Sequence, residues 1–163
     1  VTLNPTARRA AAPLAGATLL LLTACGPDDA RRDEATGEIT ASAEADVFSL
    51  QVGDCLDLAA AASTTGEVES LPTVPCTDPH DGEVYAETDL TGDTYPADLE
   101  TQAQEFCYAA FAPFVGLSYE ESTIDFTTLS PTSTSWDQGD RGVQCILQTT
   151  DGQVTGTLEG AAA

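Results

Sequence analysis

The chain has no lysine, one histidine, one tryptophan and only five arginines among its 163 residues. The missing lysine excludes every reaction that works through an ε-amine. So few basic residues also exclude the usual route to nucleic acid, which neutralises phosphates with Lys and Arg. The basic patch that holds a protein to anionic headgroups is lacking for the same reason. No CxxC pair, no GxSxG elbow and no spaced Asp/Asn calcium loop occurs, so the sequence signs of a thiolate metal site, a serine-hydrolase turn and an EF-hand are all missing. No apolar run is long enough to cross roughly 30 Å of hydrocarbon.

What the chain has in excess is acid. Aspartate and glutamate number 27, giving a formal net charge of −22, and none of them precedes Cys25. Any partner is therefore expected to be basic, or bridged by divalent cations.

The acid-free start carries a second signal. Arg8 and Arg9 precede an apolar stretch, residues 10–24, that contains Pro13 and Gly16 and ends in Leu22-Thr23-Ala24-Cys25. A basic n-region, a short apolar h-region and small residues before the cut are the architecture of a secretion signal. The last four residues resemble the lipobox of bacterial lipoproteins. That resemblance implies removal of residues 1–24 and acylation of Cys25, by palmitate or a similar chain, as the first mature residue. The protein is then expected on the outer side of the cell membrane, held there by lipid alone, with more than one acyl chain making the attachment stable. Loss of Arg8 and Arg9 leaves three arginines against 27 acids, a formal charge of −24.

Residues 25–46 are rich in Asp, Glu, Ala, Thr and Gly, with Ile39 as the only large aliphatic before Val47. Such a composition predicts a disordered acidic tether, spanning on the order of 25 Å. Residues 47–160 are the size of one domain. Within them Cys55, Cys76, Cys107 and Cys145 form an even set in an exported chain, so two disulfides are expected from three possible connectivities. The preferred pairing is Cys55 with Cys76, which bracket a Thr/Gly/Glu-rich excursion, and Cys107 with Cys145, which would pin a helix to a strand.

Hydrophobic period supplies the elements. Tyr95-Pro96-Ala97-Asp98 opens a helix in which Leu99, Ala103, Phe106, Ala110 and Phe114 recur at three and four, with Cys107 on the same stripe, Pro113 loosening the last turn and Gly116 ending it. Alternation predicts strands over residues 82–87, 123–126 and 143–147. Asp151-Gly152 before Gln153-Val154-Thr155 reads as a hairpin turn. The expected fold is α+β, a small and mostly antiparallel sheet packed against one main helix and stapled by two disulfides.

Two loops hold the unusual residues. Residues 74–84 contain His80 beside Asp78, Asp81 and Glu83, and residues 131–141 contain Trp136, Asp140 and Arg141. The order of Gly53-Asp54-Cys55, Val74-Pro75-Cys76, Pro79-His80, Glu83-Val84, Cys107, Phe111, Val115-Gly116, Pro131-Thr132, Ser135-Trp136, Gly139-Asp140-Arg141 and Cys145 resembles the bacterial septum formation family over residues 50–148. The resemblance implies a small extracytoplasmic domain with a role in the cell envelope and at division. It implies no catalytic site, ligand or cofactor. The alanine run 59–62 and the acids Glu67 and Glu69 depart from the family's pattern.

His80 and its three acids offer a general base or a metal cluster on paper. With the cysteines oxidised, however, one imidazole and carboxylates fall short of a zinc set, so neither a metal nor another cofactor is expected. The plainer expectation is that the imidazole holds a backbone carbonyl or a carboxylate. Ser133 and Ser135 lack the partners of a triad. Asp140 and Arg141 are expected to form an ion pair that orders the Trp136 loop, and His80, Trp136, Asp140 and Arg141 are the candidate binding residues, Trp and Arg being common interface anchors. The sequence thus predicts a lipid-anchored envelope protein that is not an enzyme but a binding or scaffolding module for an envelope protein or glycan. A metal- or histidine-dependent envelope hydrolase is the rival reading, and a passive structural lipoprotein is a third.

Overall fold

The computed structural model describes residues 30–61 and 67–163. The leader, Cys25 and its acylation lie outside the described residues. Strands β1 (Arg31–Arg32) and β2 (Ile39–Ala41) form a small ribbon, and β3 (Ala43–Asp46), β4 (Cys55–Leu56), β5 (Ser70–Val74), β6 (Gly82–Asp89), β7 (Ile124–Leu129) and β8 (Gly142–Thr149) form a curled six-stranded sheet. Its order is β3-β5-β4-β6-β8-β7, with every pairing antiparallel. Helices α1 (Leu99–Val115) and α2 (Ser133–Asp137) complete an α+β architecture.

Each face of the sheet carries its own core. Helix α1 buries Leu99, Ala103, Cys107, Phe111 and Val115, spaced by four, while Phe106, Ala110 and Phe114 are half-buried at the edge of the contact. The packed stripe is thus turned by one position from the expected one, because Phe111 and Val115 lie over Tyr85, Val143, Cys145 and Leu147. Complete burial of side chains of this size is worth roughly 1.5–3 kcal/mol each. Pro96 lies ahead of the helix rather than in its first turn, and Asp98 takes the N-cap position. Gly116 closes the helix at φ 84°, donating its N–H to Ala112 O, a left-handed conformation that glycine adopts without cost.

Alternation lets strand β6 serve both cores: Val84 packs with Leu56, Leu71 and Ile146 on one side, and Tyr85 packs under α1 on the other. The register shifts here, Val84 opposing Ile146 and Ala86 opposing Cys145, so that Tyr85 has no partner in the ladder. The Tyr85 hydroxyl donates to Cys107 O at 2.7 Å, and burial pushes its pKa far above the ordinary phenol value.

The acidic segment expected to be a tether is folded from Ala30 onward. Ala30, Ile39 and Ala45 are buried in the second core, and β3 pairs residue by residue with β5. Backbone ladders and small alanines do here what large aliphatics do elsewhere. A bidentate ion pair adds to this: Arg32 Nη1 lies 2.5 Å from Asp54 Oδ1 and Nη2 lies 2.6 Å from Oδ2, with Asp54 buried.

Both expected disulfides are present. Cys55–Cys76 ties β4 to the loop after β5, and Cys107–Cys145 ties α1 to β8, across Cα separations of 5.2 and 5.4 Å. The hairpin expected at Asp151-Gly152 does not form. Strand β8 already has β6 on one side and β7 on the other, so no edge remains for a following strand. Val154 instead exchanges backbone hydrogen bonds with His80. Among the described residues no helix is long and apolar enough to cross a membrane.

Candidate functional site

The sequence-singled residues fall in two places, and a third feature, a groove, joins neither loop alone. His80 is completely buried, held where the loop after β5 turns into β6. Its N–H donates to Val154 O at 3.0 Å, its carbonyl accepts from Val154 N at 2.8 Å, and Nδ1 lies 2.8 Å from Asp78 O. A carbonyl can only accept, so Nδ1 carries the proton and donates, as the plainer expectation for His80 had it. Nε2 is left buried without a partner among the described residues.

Glu83 is buried nearby and faces the C-terminal segment. Its carboxylate accepts from Thr157 Oγ1 at 2.7 Å and from Leu158 N at 2.5 Å. Burial raises its pKa above the ordinary carboxylate value, and those two hydrogen bonds oppose the rise. Ligand-type atoms of Cys55, His80 and Glu83 lie within 4.8 Å of one another, but the Cys55 sulfur is bonded to Cys76. One imidazole and one carboxylate remain, short of the three or four ligands of a zinc site. Asp81 turns away from this cluster and accepts from the N–H groups of Leu58 and Ala59, at 2.5 and 3.0 Å. His80 and Glu83 thus fasten the C-terminal segment and present no group at the surface.

The second loop contains the short helix α2 where the sequence predicts only loop. Thr132 and Ser135 cap it reciprocally. Trp136 is 2 % exposed, so it is a core residue rather than a free anchor. Tyr95 meets its ring edge-on with centroids 5.9 Å apart, and the Arg141 guanidinium lies over it at 3.7 Å. The expected Asp140–Arg141 ion pair does not form. Arg141 Nη1 donates to the carbonyls of Trp136 at 2.8 Å and Asp140 at 2.6 Å, while the Asp140 carboxylate accepts from Ser135 Oγ at 2.8 Å and Gly142 N at 3.0 Å. Stacking on the indole places the guanidinium against backbone carbonyls, and the carboxylate is used to cap the turn.

A groove of about 890 Å³ opens beside the second loop. One side is formed by β3, the turn at Val47–Ser49 and the start of β5, with Glu44, Asp46, Phe48, Glu67 and Glu69. The other is formed by the end of β7, α2 and the start of β8, with Thr128, Thr132, Ser135 and Asp140. Two hydrogen bonds span the sides, Gln144 Nε2 to Val47 O at 2.9 Å and Thr132 Oγ1 to Glu67 at 2.7 Å. Among the described residues no Lys, Arg or His lines it, and Phe48 stands 72 % exposed beside the acids.

Of the four candidate binding residues, the groove contains only Asp140. Sequence reasoning did not find Glu44, Asp46 and Phe48 because they lie in the segment read as tether or just beyond it. The alternation of Ala43-Glu44-Ala45-Asp46 was the available signal of a strand. Glu67 and Glu69, noted as departures from the family's pattern, are groove residues.

The family model for septum formation matches residues 21–145. No curated protein and no solved structure matches significantly. The match spans the second core up to β8, α1, both loops and all four disulfide cysteines, and the chain therefore belongs to the septum formation family.

Proposed function

We propose that this chain is an extracytoplasmic envelope protein, anchored by lipid on Cys25, that serves septum formation as a binding or scaffolding module and not as an enzyme. Family membership carries the reading. The lipobox-like Leu22-Thr23-Ala24-Cys25 supports the anchor, and paired cysteines suit an oxidising compartment outside the cytoplasm. The hydrolase rival needs His80 at a solvent-accessible nucleophile or metal, whereas this imidazole is buried beneath the C-terminal segment. The groove gives a binding module a surface on which to act.

The test is the position in the cell of the full-length protein bearing an export-competent fluorescent tag, beside a Cys25→Ala control. Enrichment at division sites, with membrane retention and acyl labelling lost in the control, is the expected result. An even peripheral distribution removes the division role, and retention of the control at the membrane removes the lipid anchor.

A further inference from the structure

We infer that the groove between β3 and β7 is a docking site for an extended basic segment, rich in arginine or lysine, of a partner protein. The inference rests on the reading of the chain as a binding module and adds the site and the chemistry of its ligand.

Three independent features converge on a cationic peptide. The first is charge: Glu44, Asp46, Glu67, Glu69 and Asp140 line the groove and, among the described residues, no basic side chain does, so a cation entering it meets attraction. The rest of the surface, with a formal net charge of −22 over the chain, steers the same ligand toward it. The second is Phe48. A large aromatic left 72 % exposed among carboxylates offers a ring face to a guanidinium or ammonium while the acids neutralise it. The third is the sheet. Strands β3 and β7 are its two terminal members, so each has one side with no strand partner among the described residues, and both line the groove. Unpaired backbone groups at a strand edge are the template on which an extended peptide adds. An extended chain also sends alternate side chains to one side, matching the spacing of Glu44 and Asp46 on β3.

A glycan is less well matched. Sugars engage aromatic faces through C–H groups and carboxylates through hydroxyls, but a neutral one gains nothing from the uniform charge of the lining.

The experiment titrates the full-length chain with a fluorescently labelled peptide of alternating arginine and threonine, followed by anisotropy at low and at roughly physiological salt. Saturable binding is expected, weakening by at least about tenfold in the triple variant Glu44→Gln, Asp46→Asn, Glu69→Gln and by about two- to fivefold in Phe48→Ala. A second triple variant, Glu87→Gln, Glu100→Gln, Glu105→Gln, removes three exposed acids outside the groove and should change affinity less than about twofold. Equal weakening by both triple variants means unspecific attraction and overturns the site. So does saturable binding of a neutral envelope oligosaccharide without binding of the peptide. Division-site enrichment of the tagged wild type, read separately, keeps the two claims apart. Enrichment without peptide binding overturns the groove alone, and groove-specific binding without enrichment overturns the septal reading alone.

Discussion

Arg141 lies over the indole of Trp136, its guanidinium carbon 3.7 Å from the ring centroid, and donates at 2.8 Å to the carbonyl of the same residue. One side chain thus closes the loop of residues 131–141 from above and from within. Arg141→Ala is expected to cost about 1–3 kcal/mol, the sum of a lost cation–π contact and charge-assisted hydrogen bonds to backbone carbonyls. Arg141→Lys should recover only part of it, because an ammonium cannot stack flat. Trp136 is the only tryptophan, so its emission reports the loop directly: a red shift in Arg141→Ala with an unchanged far-ultraviolet spectrum is the expected signature. An unshifted emission and an unchanged melting temperature would show that Arg141 does not close the loop.

The pair Arg32–Asp54 makes a comparable test of the N-terminal segment. Asp54 is 3 % exposed, and its carboxylate also accepts from Gln51 N at 2.8 Å. Arg32→Ala leaves that charge buried with its main partner gone, which typically costs about 3–5 kcal/mol. The double variant Arg32→Ala, Asp54→Asn should lose less than the two single changes added together. Additive losses in denaturant unfolding would contradict coupling. Limited proteolysis gives a second readout, with residues 31–46 resistant in the wild type and cut in Arg32→Ala.

How far the sequence led depends on where each element's signal resides. Helix α1 and strands β6, β7 and β8 have strong apolar periods, and their expected places match the observed ones to within three residues at each end. Of the three possible connectivities the preferred one is observed: Cys107–Cys145 pins the helix to a strand and Cys55–Cys76 brackets the excursion between them. The ribbon of β1 and β2 and strand β3 have weak signals because their stability comes from backbone pairing, alanine packing and the Arg32–Asp54 pair, which leave at most the faint small/acidic alternation of residues 43–46. Strand β5 is short and contains Pro72. The hairpin at Asp151-Gly152 was read from a genuine turn signal, since Thr149 Oγ1 does bond Gly152 O at 2.6 Å; the missing information was that β8 is a central strand. The groove has no local signature at all, because its acids come from three separate segments of the chain.

The disulfides are not equivalent in what they hold. Cys107–Cys145 closes a separation of 38 residues and joins two main-core elements, whereas Cys55–Cys76 closes 21 and secures a loop beside His80. Loop-closure entropy alone gives about 3 to 4 kcal/mol for each, slightly more for the longer. Cys107→Ala with Cys145→Ala is therefore expected to lower the melting temperature at least as much as Cys55→Ala with Cys76→Ala. Only the second pair of changes should expose Trp136-independent signals near the C-terminus, seen as faster amide exchange at Val154 and Leu158. Non-reducing peptide mapping should recover these two linkages alone.

Glu83 provides the pH dependence. Its pKa in the folded chain is raised by burial, so between the ordinary carboxylate value and the raised one the native state binds more protons than the unfolded state. Stability from this group is then greatest below the unfolded value and is lost as pH rises through the folded value. Glu83→Gln keeps an oxygen for Leu158 N and an amide that can donate to Thr157 Oγ1, and it removes the charge whose burial is costly. The variant should match or exceed the wild type at neutral pH and fall behind only in acid. Its stability should also lose part of the wild type's decline as pH rises from the ordinary carboxylate value, about 4, toward and beyond neutrality. Glu83→Ala, by contrast, orphans Leu158 N and should destabilise at every pH by about 1–3 kcal/mol. Parallel pH profiles for the wild type and Glu83→Gln, in melting temperature across that range, would mean that Glu83 titrates as an ordinary carboxylate and that the C-terminal segment opens enough to hydrate it.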